Sequence, residues 1–273
     1  MSGITRRAMW MMGLAATAPW GALQTIRPAR ADDPWADLAR DVFDSRAMAD
    51  GTGLIAIEMP ARAEDAAIVP VTLRSTLRPE DRRELKSFTL IVDENPAPVA
   101  ASFKVGAGVT MISTRVRVNS YTNVHAVAEL SDGELYVVQT YVKASGGCSA
   151  PTAKNADEGK VSLGQMRFRQ FARPGEGLSS GPREAQIMVR HPNNSGLQRD
   201  QVSLLYIPLF IVRELRVWQG DKLLLEMDGG ISISEDPNIR FSFLPNGGAA
   251  FRAEAIDTDG HVFKGEWPAD VTM

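Results

Sequence analysis

Hydrophobic and polar positions alternate in short runs over most of the chain, and turn residues separate the runs. Val116 and Val118 alternate with Arg115 and Arg117, the period-2 sign of a half-buried strand. Runs of this kind predict strands near 53–58, 67–74, 86–93, 98–104, 112–118, 123–130 and 135–143 in the first half. They predict strands near 165–171, 185–191, 204–217, 222–227, 239–244, 249–257 and 261–266 in the second. Ser131-Asp132-Gly133, Gln219-Gly220-Asp221 and Asp257-Thr258-Asp259-Gly260 read as turns between them. Only Asp37–Met48 carries a helical period, with Leu38, Val42 and Phe43 on one side. The expected fold class is therefore all-β. It comprises two immunoglobulin-like β-sandwich domains, each with its own core, behind a short N-terminal helix.

Two stretches break the pattern. Residues 1–31 run from a basic start at Arg6-Arg7 through an apolar stretch to the small-x-small site Ala29-Arg30-Ala31, as a secretory signal peptide does. The paired arginines point to twin-arginine export and a periplasmic destination. Ala144 to about Gln165 has no apolar period and reads as a flexible linker. The expected organisation is a signal at 1–31, a first domain at 32–148, a linker at 149–164 and a second domain at 165–273.

Charge narrows the function classes. The whole chain has 30 basic and 33 acidic residues; the signal holds four arginines and no acid, leaving a net −7 without it. That balance argues against nucleic acid and, after signal cleavage, against a membrane partner. One cysteine excludes an intramolecular disulfide, and three scattered histidines offer no metal site. The Asp257–Gly260 turn lacks the further ligands and the closing glutamate of a calcium loop. No cofactor is expected. His125 reads as a strand residue, packed or at the surface, His191 as structural and His261 as solvated; Arg115 and Arg117 read as a solvated face, and Phe210 and Trp218 as core or domain interface.

The candidate chemistry is the cysteine itself. Cys148 lies in Ser145-Gly146-Gly147-Cys148-Ser149-Ala150-Pro151, where nothing nearby in sequence is apolar enough to bury it. Gly146 and Gly147 would form a thin, mobile neck. An exposed thiol on such a neck suits a covalent carrier better than a built active site, which would hold a base beside the nucleophile. A thiol-dependent enzyme and an adhesion module are the rival classes.

At this point the residues resemble a known family. The first half is similar to the SoxY sulfur-carrier domain in Val69-Pro70-Val71, Asn95-Pro96-Ala97-Pro98-Val99-Ala100, Ser113–Val118, Val127–Gly133 and the Gly146-Gly147-Cys148 ending. The second half is similar to its partner SoxZ in His191-Pro192, Gly196–Asp200, Ile207-Pro208, Ile231-Ser232, Asp236-Pro237 and Asp259-Gly260. The resemblance implies two immunoglobulin-like halves that pack on each other and a non-enzymatic carrier. It implies that sulfur intermediates derived from thiosulfate are held covalently on Cys148, with Gly146 and Gly147 giving the arm its flexibility. Partners would be periplasmic sulfur-oxidising enzymes or, as in related fused carriers, a quinoprotein alcohol dehydrogenase system. The chain departs from the pattern where Ser149-Ala150 replaces a glycine pair and where a second domain follows the cysteine.

Overall fold

The computed structural model describes residues 34–151, 162–171 and 181–269, which belong to one compact unit. The expected signal at 1–31 and most of the expected linker lie outside the described residues. The single helix, α1 (Trp35–Val42), is shorter than the expected Asp37–Met48. It stops at Phe43 because Asp44 and Ser45 take left-handed φ angles of 50° and 61°. The chain then turns into a short strand, β1 (Met48–Asp50). Leu38, Val42 and Phe43 are half-buried, so the helix lies on the body without entering its core.

The first half continues with β2 (Ile55–Glu58), β3 (Val69–Ser75), β4 (Leu85–Val92), β5 (Val99–Val105), β6 (Met111–Val116), β7 (Thr122–Leu130) and β8 (Leu135–Val142). The second half supplies β9 (Met166–Phe171), β10 (Arg183–Val189), β11 (Val212–Gln219), β12 (Lys222–Gly229), β13 (Asn238–Phe243), β14 (Ala250–Asp257) and β15 (Val262–Pro268). The all-β class read from the sequence is what the structure shows. One expected strand begins late: 204–211 is not part of β11. Pro208 has no N–H to give a ladder, and the segment before it folds back on itself.

The halves do not stand apart. Their strands form two sheets, each running through both halves. One has the order β1-β8-β7-β4-β5-β12-β11-β14-β15, the other β2-β3-β6-β13-β10-β9. The seams are antiparallel: Leu225–Gly229 of β12 faces Val105–Ala101 of β5, and Arg240 and Phe241 of β13 face Ser113 and Ile112 of β6. Inward side chains of both sheets and both halves make one hydrophobic cluster, with Phe88, Phe103, Phe241, Phe243 and Phe251 fully buried. The expectation of a separate core in each half is thus corrected to one shared core. Each buried aromatic removes enough apolar surface to contribute roughly 1.5–3 kcal/mol. Continuity of sheet and core therefore holds the halves together more firmly than any tether.

Candidate functional site

Cys148 follows β8 on a tight turn. Ser149 N–H donates to Gly146 O (3.3 Å), and Gly146 N–H and Gly147 N–H donate to Asn119 O (2.9 Å) and Val118 O (3.0 Å). The side chain of Cys148 is fully buried, which corrects the expected exposure. Nor is the neck free. A Cβ on Gly147 would lie 2.0 Å from Ala66 O and 2.7 Å from Val118 O, so the glycine permits a close backbone approach. Gly146 adopts φ +78° with open space around it, so its glycine character serves the turn.

What covers the cysteine comes from far along the chain. Ser195 Oγ donates to Cys148 O (2.5 Å) and Gln198 Nε2 donates to Ala150 O (2.9 Å). Arg117 Nη1 donates to Gly147 O (3.2 Å) and Nη2 to Asn193 O (3.4 Å). Three side chains thus grip the carbonyls of Gly147, Cys148 and Ala150, and none of these bonds uses the sulfur. Ser195 and Gln198 are buried, and their mutual bond, Ser195 N–H to Gln198 Oε1 (3.0 Å), fixes their spacing.

Arg117 was expected on a solvated face, yet it is 1% exposed. β6 ends at Val116, and beyond it Arg117 N–H bonds Ser232 O (2.7 Å). A segment of the second half therefore covers the face that strand alternation assigns to solvent. Asn95, from the Asn95-Pro96 motif, braces the same place. Its Nδ2 donates to Arg117 O (2.7 Å) and Ser232 Oγ (2.8 Å), and its Oδ1 accepts from Asn119 N–H (2.8 Å).

Burial pushes the Cys148 thiol up from its ordinary 9.0 to about 11, and the Arg117 charge pulls it part of the way back. Burial in turn pushes the Arg117 guanidinium down, opposed by the charges of Glu235, Cys148 and Asp65. In this closed position the sulfur is a protonated, water-shielded thiol and a poor nucleophile.

The histidines take structural places. His125 Nδ1 meets Asp93 Oδ1 at 2.9 Å, and its ring stacks on Trp35 of α1 at 3.7 Å. His191 is buried against Phe210 (4.3 Å between ring centroids). Its Nδ1 accepts Asn193 N–H (3.1 Å), which leaves the proton on Nε2. Burial depresses its pKa, ahead of the opposing pull of Asp257. His261 is about half-exposed and bonds Asp257 Oδ2 (2.8 Å), while Asp257 Oδ1 accepts the N–H groups of Asp259 and His261. The turn reading of that segment stands. Trp218 and Phe210 are half-buried. Among the described residues no group of three or more His, Cys, Asp or Glu could hold a metal, and no helix is long and apolar enough to cross a membrane.

Sequence reasoning singled out Cys148, Gly146 and Gly147, and gave no sign of the bonds from Ser195 and Gln198 to that loop or of the burial of Arg117. Gln198 lies within the Gly196–Asp200 motif and Ser195 directly precedes it, but their place became visible only when the fold brought them against the cysteine loop.

Comparison with known proteins decides the family. The model of the sulfur oxidation protein SoxY matches residues 39–148, and that of the sulphur oxidation protein SoxZ matches residues 172–268. The chain belongs to the SoxYZ family, with both regions fused. The SoxY match ends on Cys148 itself. Members of this family are carrier-type proteins of sulfur oxidation. No curated protein matches the chain. Among solved structures it is similar to a superoxide reductase (neelaredoxin) from Ignicoccus hospitalis, at 12% identity over 33% of this chain and 78% of that one, with a TM-score of 0.29. A Thermotoga maritima protein provisionally described as a superoxide reductase gives 12% identity over 38% of this chain and 96% of the other, with a TM-score of 0.31. At these values the likeness carries no argument about fold or function.

Proposed function

We propose that this protein carries sulfur intermediates covalently on Cys148, in the periplasm, and presents them to enzymes that load and oxidise them. The observation that carries the reading is that the sole cysteine of the sequence is the last residue of the SoxY match and sits on a loop that side chains of the body hydrogen-bond through its carbonyls, not its sulfur. Such a loop can leave its seat without breaking a bond to sulfur. The cargo is thiosulfate-derived. Joining the Cys148 thiol to thiosulfate forms an S–S bond, releases the thiol proton and gives up two electrons, so the loading enzyme must accept them. Gly146 and Gly147 supply the hinge. Because the chain continues through Ser149 into the second half, partners receive a loop rather than a free tail.

Intact mass spectrometry of protein purified without reductant from its native cells tests this. The expected result is a mass increment of whole sulfur atoms, with or without a sulfonate, that localises to Cys148 and disappears with reductant. Native protein that is uniformly a bare thiol or a disulfide-linked dimer would overturn it.

A further inference from the structure

The SoxZ-like half carries a feature that the carrier reading leaves unexplained. Asn194 and Phe210 exchange backbone hydrogen bonds (2.8 and 3.0 Å) and close the base of a small hairpin. Ile207 N–H bonds Gln198 O (2.9 Å) along it, and Arg199 bridges to Tyr206. At the tip the Asp200 carboxylate accepts Val202 N–H (3.1 Å), Ser203 N–H (2.7 Å) and Ser203 Oγ–H (2.9 Å). Those bonds hold that carboxyl below its usual pKa.

The two ends of this hairpin are opposite in character. The base holds buried Ser195 and Gln198 on the cysteine loop. The tip turns apolar side chains to solvent: Val202 is 94% exposed, Leu204 68%, Leu205 70% and Tyr206 61%. With Leu209, this one segment holds five of the eleven large exposed hydrophobic residues among the described residues. Scattered apolar residues need no explanation, but a cluster on one protrusion marks a contact surface. Leu204 also has φ +59°, a left-handed backbone that a leucine adopts against its preference. The fold thus spends conformational strain in presenting this side chain outward.

We propose that the hairpin Asn194–Phe210 is the docking surface for the enzyme that couples cargo to Cys148, and that docking at its tip draws Ser195 and Gln198 off the cysteine loop. This rests on the carrier reading above. The occupant is an enzyme with an apolar recess beside its thiol entrance. The argument for it is continuity: the exposed tip and the bonds that close over Cys148 belong to one hydrogen-bonded unit of fewer than twenty residues. A contact at the tip is thereby mechanically joined to release of the thiol. Loading would then be confined to the moment when an enzyme is in place to use it.

The test uses the whole purified chain in four forms: unaltered, Leu204→Ser with Leu205→Ser, Gln198→Ala, and Leu223→Ser as an exposed apolar position elsewhere. First, Cys148 is alkylated with iodoacetamide and followed by mass. Gln198→Ala removes one hydrogen bond to the cysteine loop and the bond that positions Ser195, and should react faster by at least roughly three- to tenfold, while the tip variant reacts as the unaltered chain does. Second, each form is incubated with soluble extract of the native cells, thiosulfate and oxidised cytochrome c as electron acceptor, and the adduct on Cys148 is measured. The tip variant should load at least about tenfold more slowly, a loss typical of removing central apolar contacts, and Leu223→Ser should load normally. Normal loading of the tip variant overturns the docking surface, and unchanged alkylation of Gln198→Ala overturns the latch. Light scattering that shows the unaltered chain to be a dimer and the tip variant a monomer would give the surface to a second copy instead. Absence of adduct on every form would overturn the carrier reading beneath it, an outcome distinct from normal loading of all four.

Discussion

Gly146 and Gly147 are neighbours that serve different ends. Gly147 lies where any Cβ meets two backbone carbonyls, so Gly147→Ala should unseat the loop and expose the thiol, read as faster alkylation at neutral pH. Gly146→Ala meets nothing and should weaken the closed state by about 1 kcal/mol through its left-handed φ alone, giving a smaller rise. The thiol itself reports on the loop through pH. Its pKa is raised to about 11 in the closed state, so the fold favours the protonated form. That contribution is intact below the ordinary value of 9.0 and is lost as pH climbs toward 11. Alkylation of the unaltered protein should therefore keep steepening through this window, whereas in Gly147→Ala it should level off near the ordinary thiol value. A profile shared by both would contradict a buried resting thiol. Cys148 stood out in the sequence as the candidate, since a lone cysteine after two glycines is conspicuous. Its burial was not legible, because the groups that hold the loop, Arg117, Ser195 and Gln198, are distant in sequence and bond to main-chain carbonyls, which leave no mark in the residue types around the cysteine.

At the scale of elements, alternation located most strands to within about two residues, because an edge of apolar side chains must face the core wherever the chain pairs. It failed where tertiary neighbours replaced solvent, as at Arg117, and where a backbone detail cut a run short, as at Pro208. It could not show which strands meet. The seam between β6 and β13 depends on Phe241, opposite Ile112 and fully buried. Phe241→Ala should lower the stability of the whole body by about 3–5 kcal/mol, measured by denaturant unfolding. A loss confined to signals from the second half would show the seam to be weak.

At the scale of the molecule, two sheets that cross from one half into the other predict one cooperative unfolding event. Calorimetry should give a single transition with agreeing calorimetric and van't Hoff enthalpies, and two resolved transitions would refute the shared core. Separation would leave β5, β12, β6 and β13 with unpaired edges, so each half expressed alone should aggregate or recombine with the other. The same closeness bears on the cysteine in another way. Cys148 is fully buried in the closed body, with no room for a sulfonate on its sulfur. A chain that bore such a group on Cys148 would therefore not fit its closed shape. On the carrier reading proposed above, the position of the loop would record occupancy: an empty chain shuts and a laden one stays open. By reciprocity, every bond that shuts the empty loop would also weaken the hold on such a cargo by the same free energy.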